Sequence, residues 1–364
     1  MPKKVIIVFL FLSLIWTIGC GGGKVNDLEV ARQEISERAY TKAEIRLEKL
    51  TRKQPQNVEA LGLLAVAYSQ QDKAQKLEET ALKLKGMGKP ATDKLVDMMR
   101  REKNIADDIA KVLTSIGEPA VSALIPLLGD TSESIREDAV SILTNIGAPA
   151  IESLKGALDS PNVLIKAGSA KILGNLGDKT SIEALAKKVK DSDPIVSLES
   201  AIALYKLGDK SHLSIITNGL SSSLVSARRS ASMAIRDIVE NPPIKPLLKS
   251  INDSDIKVRT AIIQAVGKAK DAQAVSSLIE AIKSKDSDIR NAAGESLKEI
   301  GEPAVMPLLA LIKQEQDIAT LQKAIQTLGD IGDKRAIEPL EKIYAESNQS
   351  LVKQEAAVAL NKID

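Results

Sequence analysis

Cys20 is the only cysteine of this 364-residue chain and His212 its only histidine. The side chains best suited to redox, nucleophilic or metal chemistry therefore occur once each. Without a second cysteine there is no internal disulfide, and a single histidine supplies no histidine pair for a metal. Serines are plentiful, but a serine nucleophile needs a base and an orienting acid converging on it, and His212 is the one histidine to serve. His212 follows the turn sequence LGDKS, which reads as a solvated loop. No phosphate loop or dinucleotide glycine fingerprint is present. The expectation is a protein with no catalytic residues, no cofactor, no metal and no small-molecule substrate. For Cys20 the remaining chemistry is modification.

Its flanks say which modification. Lys3 and Lys4 precede a run from Val5 to Ile18 that is apolar except at Ser13 and Thr17 and ends at the small residue Gly19. That is the layout of a secretory signal peptide, and it is short for a helix that must cross about 30 Å of hydrocarbon. The segment Thr17-Ile18-Gly19-Cys20 resembles a bacterial lipoprotein signal. The resemblance implies cleavage after Gly19 and a lipid on Cys20. An ordinary signal peptide or an uncleaved anchor are the alternatives. Residues 20–24, CGGGK, then read as a lipidated cysteine and flexible tether. By resemblance to lipoprotein sorting rules, glycine after the cysteine implies the outer membrane, where the organism has one.

Loss of residues 1–19 removes two of the 50 basic residues and none of the 48 acidic ones, leaving a neutral chain. Nucleic-acid binding depends on a basic surface, so none is expected. Phe9, Phe11 and Trp16 also leave, and Tyr40, Tyr68, Tyr205 and Tyr344 are the aromatics that remain. That disfavours base-stacking platforms and aromatic ligand boxes.

The rest is repetition. Gly117, Gly147, Gly177, Gly208, Gly301 and Gly332 keep a spacing of 30 or 31 residues or a multiple of it. Four residues before each repeat boundary stands Leu113, Leu143, Leu173, Leu204, Ile235, Val266, Leu297, Leu328 and Leu360, and a second apolar column runs through Leu124, Leu154, Leu185, Ile216, Leu247, Leu278, Leu308 and Leu340. Apolar spacings of three and four predict two helices per unit and no strands. Glycine ends the first helix, Pro119, Pro149 and Pro303 open second helices, and DSPN, DSDP, NDSD and KDSD supply caps for the next unit. One such pair cannot bury its apolar face alone, so the units must stack.

The pattern DSDIRNAAGESLKEIGEPAVMPLLALIK at 286–313 is similar to HEAT repeats, especially the short subclass related to phycobilin lyases. The resemblance covers 87–364 and implies an all-α, right-handed α-solenoid of about nine helical pairs. Residues 25–86 differ: Ala43, Leu47, Leu50, Pro55, Leu61, Leu64, Ala65 and Tyr68 resemble tetratricopeptide positions, implying an N-terminal helical cap.

Two charged columns follow from the register. Arg136, Lys166, Arg228, Arg259, Arg290 and Lys353 start the first helices, and with Asp130, Asp191, Asp253 and Asp286 in the preceding turns they predict a ladder between repeats, whose phase breaks at Ser197. Lys187, Asn218, Lys249, Glu280 and Lys342 lie on second helices, two residues past the buried apolar position. By resemblance, second helices line the concave side, making these five the candidate partner-binding residues.

The expected function is a non-enzymatic, membrane-anchored scaffold that binds a protein partner. A structural or cell-wall-binding envelope protein is the alternative. An enzyme related to the HEAT-type lyases or the di-iron hydroxylase ranks last, because the export signal and the missing His-Glu motifs oppose it.

Overall fold

The computed structural model describes residues 26–363, which contain helices and turns and no strand. The signal run, Gly19 and Cys20 lie outside the described residues. The chain divides into two compact units, meeting at residues 153 and 154. The change of repeat type expected from the sequence at 86 and 87 falls inside the first unit.

In the first unit α1 (Asp27–Ser36), α2 (Tyr40–Lys53), α3 (Val58–Ser69) and α4 (Ala74–Gly86) form two helix-turn-helix pairs. Ala43, Leu47, Leu50, Leu61, Leu64, Ala65 and Tyr68 are all buried between them. Then follow α5 (Lys89–Arg101), α6 (Ala106–Ile116), the short α7 (Glu118–Leu124) and the long α8 (Glu133–Ile146), and from α6 onward long and short helices alternate.

The second unit keeps this alternation. Its first helices are long: α10 (Val163–Leu176), α12 (Pro194–Lys206), α14 (Val225–Ile238), α16 (Ile256–Ala269), α18 (Ser287–Ile300), α20 (Ile318–Ile331) and α22 (Ser350–Ile363). The short second helices are α9 (Ile151–Ala157), α11 (Ile182–Lys188), α13 (Leu213–Gly219), α15 (Ile244–Ser250), α17 (Val275–Ile282), α19 (Val305–Gln314) and α21 (Ile337–Glu346). Both apolar columns face inward, and every member from Leu113 to Leu340 is fully buried. Leu360, in the last helix, is partly buried. This is an all-α solenoid architecture.

The turns show why the sequence stops each helix where it does. Gly177 closes α10 in the left-handed region at φ 70° and ψ 14°, which costs a residue without Cβ nothing. The next residue, Asp178, then caps the following turn by accepting from the Thr180 N–H at 3.2 Å. Two units lack the glycine. Val239 ends α14 in extended backbone, and Lys270 takes the left-handed conformation itself, with φ 49°. At the other end of the repeat, Asn162, Asp193, Asp255 and Asp286 cap α10, α12, α16 and α18 through their side-chain oxygens.

The predicted ladder is present in part: Asp130, Asp191 and Asp253 each serve two helices, whereas Asp286 accepts only from the Asp288 and Ile289 N–H groups of α18, and Arg259 Nε is buried without a hydrogen-bond partner. Asp253 accepts from the Asp255 N–H at 2.8 Å, shaping the turn into α16, and also receives Arg228 Nε from α14 at 2.7 Å. Arg228 simultaneously donates to the Ser222 carbonyl at 3.0 Å, so one guanidinium ties three segments. Asp191 does the same with the Asp193 N–H and with Lys166 at 2.8 Å, and Asp130 with the Ser132 N–H and Arg100. Arg136 and Arg290 bond the carbonyls six residues back. Where the basic column breaks, Ser197 Oγ donates to the Val189 carbonyl at 2.6 Å and takes over that tie.

Leu204 sits mid-core in the second unit, fully buried. Leu204→Ala is expected to cost about 2 to 5 kcal/mol in urea unfolding through the cavity it leaves; an unchanged midpoint would show that the register is misassigned.

Candidate functional site

The two helix layers of the second unit are not equivalent. Long helices approach one another so closely that side chains must vanish between them. A Cβ on Gly174 of α10 would stand 2.6 Å from the Ala203 Cα of α12, and one on Gly329 of α20 would stand 2.6 Å from the Ala359 Cα of α22. The same close approach recurs between α16 and α18, where a Cβ on Gly267 would stand 2.8 Å from the Ser296 Cα.

On the long-helix face a groove of ≈ 990 Å³ crosses α14, α16 and α18. Its apolar patch is Met233 and Ile256, 45% and 41% exposed, where solvent-facing polar residues would be ordinary. Around it the charges are sorted by helix. Arg236 of α14 and Lys257 and Lys268 of α16 make one wall basic; Asp288, Glu295 and Glu299 of α18 make the other acidic. Several of these charges are already engaged. Arg236 holds Asp237 at 2.6 Å, which keeps the guanidinium charged and the carboxyl below its ordinary range. Lys268 donates to the Arg236 carbonyl, Lys270 reaches Glu299 at 3.4 Å, and Lys298 reaches Glu295 at 3.5 Å. Among the described residues, the side chains of Lys257, Asp288 and Asn291 have no hydrogen-bond or ion-pair partner.

Met233 also borders a smaller cavity of ≈ 130 Å³ between α10, α12 and α14, which holds the buried carboxyl of Glu199. Burial raises its pKa, only partly opposed by Lys171, by a hydrogen bond from Ser230 and by Lys206.

The five sequence-chosen residues lie elsewhere. Lys187, Asn218, Lys249, Glu280 and Lys342 are all exposed, one on each of the short helices α11, α13, α15, α17 and α21, and none lines the groove. Three of them are tied within their own helices: Lys187 to Glu183 at 2.9 Å, Glu280 to Lys283 at 2.7 Å and Lys342 to Glu346 at 4.0 Å. His212 occupies a single-turn segment at Lys210–His212, with Nε2 3.8 Å from Asp209. Among the described residues, no group of His, Cys, Asp and Glu could hold a metal ion and no helix is long and apolar enough to cross a membrane. The groove was missed because its signal is relational. Met233 occupies the register position filled by Gln264, Glu295 and Gln326 in later repeats, so its exposure emerges only once the repeats are aligned on their buried columns.

Comparison with known proteins now bears on the architecture. The family of HEAT repeats matches residues 151–236, 244–317 and 304–361. No curated protein sequence matches. Among solved structures, an engineered protein is similar at 19% identity, covering 79% of this chain and 95% of its own with a TM-score of 0.42. Human deoxyhypusine hydroxylase in complex with glycerol is similar at 21% identity, with 71% and 99% covered and a TM-score of 0.30. The Escherichia coli protein YibA is similar at 18% identity, with 66% and 91% covered and a TM-score of 0.47.

The Glu199 carboxyl gives a pH test of the long-helix layer. Because its folded pKa is raised, the folded state binds the proton more tightly than the unfolded state, and stability falls as pH rises from the unfolded carboxyl range up through the raised folded value. Glu199→Gln removes that penalty, so calorimetry is expected to show a higher Tm than wild type at pH 7 and a gain that shrinks toward pH 4. A lower Tm at pH 7 would mean that Lys171 and Lys206 outweigh burial.

Proposed function

Because the chain belongs to the HEAT repeat family, we propose that it is a non-enzymatic scaffold, held at a bacterial envelope by lipid on Cys20, that binds a protein partner on its repeat surface. The observation that carries this reading is the groove on α14, α16 and α18, where Met233 and Ile256 stand exposed among partnerless polar groups. What sets these two apart from apolar residues exposed singly elsewhere is that they share a groove with polar groups that have no partner in the chain, so a ligand there can bury apolar surface and make new polar contacts at once. Stacked repeats supply such surfaces without a catalytic constellation. Membrane attachment rests on the lipoprotein-like segment ending in Gly19 and Cys20; two or more acyl chains hold a protein to a bilayer where one binds marginally. By the same sorting resemblance, the outer membrane is the destination where the organism has one. The exposed row Lys187, Asn218, Lys249, Glu280 and Lys342 is a second candidate face for the same partner or another.

One experiment addresses anchor and face together. A photo-crosslinking amino acid placed at Met233 in intact cells is expected to capture a reproducible protein partner, and the same probe at Lys249 to capture less. Cys20→Ser is expected to abolish fatty-acid labelling and release the protein from membranes. Stronger capture at Lys249 would move the site to the short-helix row, capture at neither would contradict the scaffold, and membrane retention of Cys20→Ser would contradict the lipid.

A further inference from the structure

The charge order of the groove identifies what kind of segment it receives, an inference that rests on the scaffold reading. Three neighbouring long helices cross beneath it. With helix axes about 8 to 10 Å apart, the floor from α14 to α18 is about 20 Å long. Along that path a ligand meets Arg236 and Met233, then Ile256, Lys257 and Lys268, then Asp288, Glu295 and Glu299. Basic residues lie at one end, the apolar patch lies beside them, and acidic residues occupy the far end.

The polar floor decides between helix and strand. An extended segment brings backbone N–H and C=O groups that it cannot satisfy by itself, and burying them unpaired is costly. The Asn291 side chain has no partner, and the amide nitrogen of Gln264 donates to nothing, while its oxygen makes only a 3.4 Å contact with Arg236. These two amides stand on adjacent helices and offer both donors and acceptors. A helical ligand, whose backbone is already paired, would have only side chains to offer them.

We infer that the groove binds an extended segment of another protein, about six residues long at roughly 3.3 Å per residue, with acidic residues over α14 and α16, an apolar side chain on Met233 and Ile256, and basic residues over α18. Lys257 on the middle helix and Asp288 on the far one are the two charges available to the segment. They occupy equivalent positions on neighbouring helices, and neither is neutralised within the chain. A partner of uniform charge would be repelled at one end or the other, so charge order supplies the selectivity and the apolar contact supplies the hold.

A phage-displayed library of random ten-residue peptides, panned on the full chain, tests this directly. Enriched peptides are expected to share an acidic residue, one or two apolar residues and a basic residue in that order or its reverse, within about six positions. In fluorescence anisotropy, Met233→Glu is expected to weaken the best peptide about tenfold or more, as for loss of an apolar anchor. The double variant Lys257→Glu with Asp288→Lys should prefer a peptide whose end charges are exchanged. All three residues are exposed, and circular dichroism matching wild type would confirm that each variant folds. Peptides without the charge order, peptides that bind Met233→Glu unchanged, or a panning that enriches nothing would each overturn the inference. The scaffold reading would survive those results if the Met233 photo-crosslink captures a partner, and would fall with them if it does not.

Discussion

The second unit depends on how closely one long helix can approach the next. Gly174 against Ala203, Gly267 against Ser296 and Gly329 against Ala359 bring backbones to distances at which a Cβ would overlap its neighbour. Tight packing of this kind gains dispersion contacts and excludes voids, but it tolerates no added volume. Everything else in the repeat accommodates it. The short helices fill the second layer, most with a single buried leucine or isoleucine and α17 and α19 with several, the turns return the chain in a few residues, and the aspartate ladder fixes the offset between pairs.

That ladder sets register more than it supplies stability. Arg228 and Asp253 are nearly buried, and their bond is bidentate and shared with backbone groups. The pairs at the exposed rim, such as Lys187 with Glu183, contribute at most about 1 kcal/mol each. Asp255 illustrates the tighter kind: hydrogen bonds from Arg229 hold its carboxyl at about 2. Its folded pKa is therefore depressed, and the stability it adds is present above the unfolded carboxyl range and lost as pH falls toward about 2.

Much of this was legible in the amino-acid sequence because it is periodic. The two apolar columns named the buried residues of both helices in each unit, and the cationic column named the ladder through Lys166 and Arg228. What escaped notice breaks the period. Lys270 takes a conformation expected of glycine, and Val239 ends its helix in extended backbone instead. Column spacing reports which residues are buried and says nothing about how closely the long helices approach. That information sits in the small residues, Gly174, Gly267 and Gly329, at positions where bulkier ones would serve an isolated helix equally well. Glu199 was unremarkable as one acid among 48, and only its burial beside Lys171, Lys206 and Ser230 distinguishes it.

The account makes the helical pair a unit that cannot stand by itself, stable only against its neighbours. The most direct measurement is far-UV circular dichroism of a peptide spanning residues 256–282, which contains α16 and α17 and no stacking partner. The account predicts a largely unfolded spectrum with no cooperative melt. A helical spectrum that melts cooperatively at low concentration would contradict it, because the pair would then carry its own core and the close contacts between long helices would be incidental.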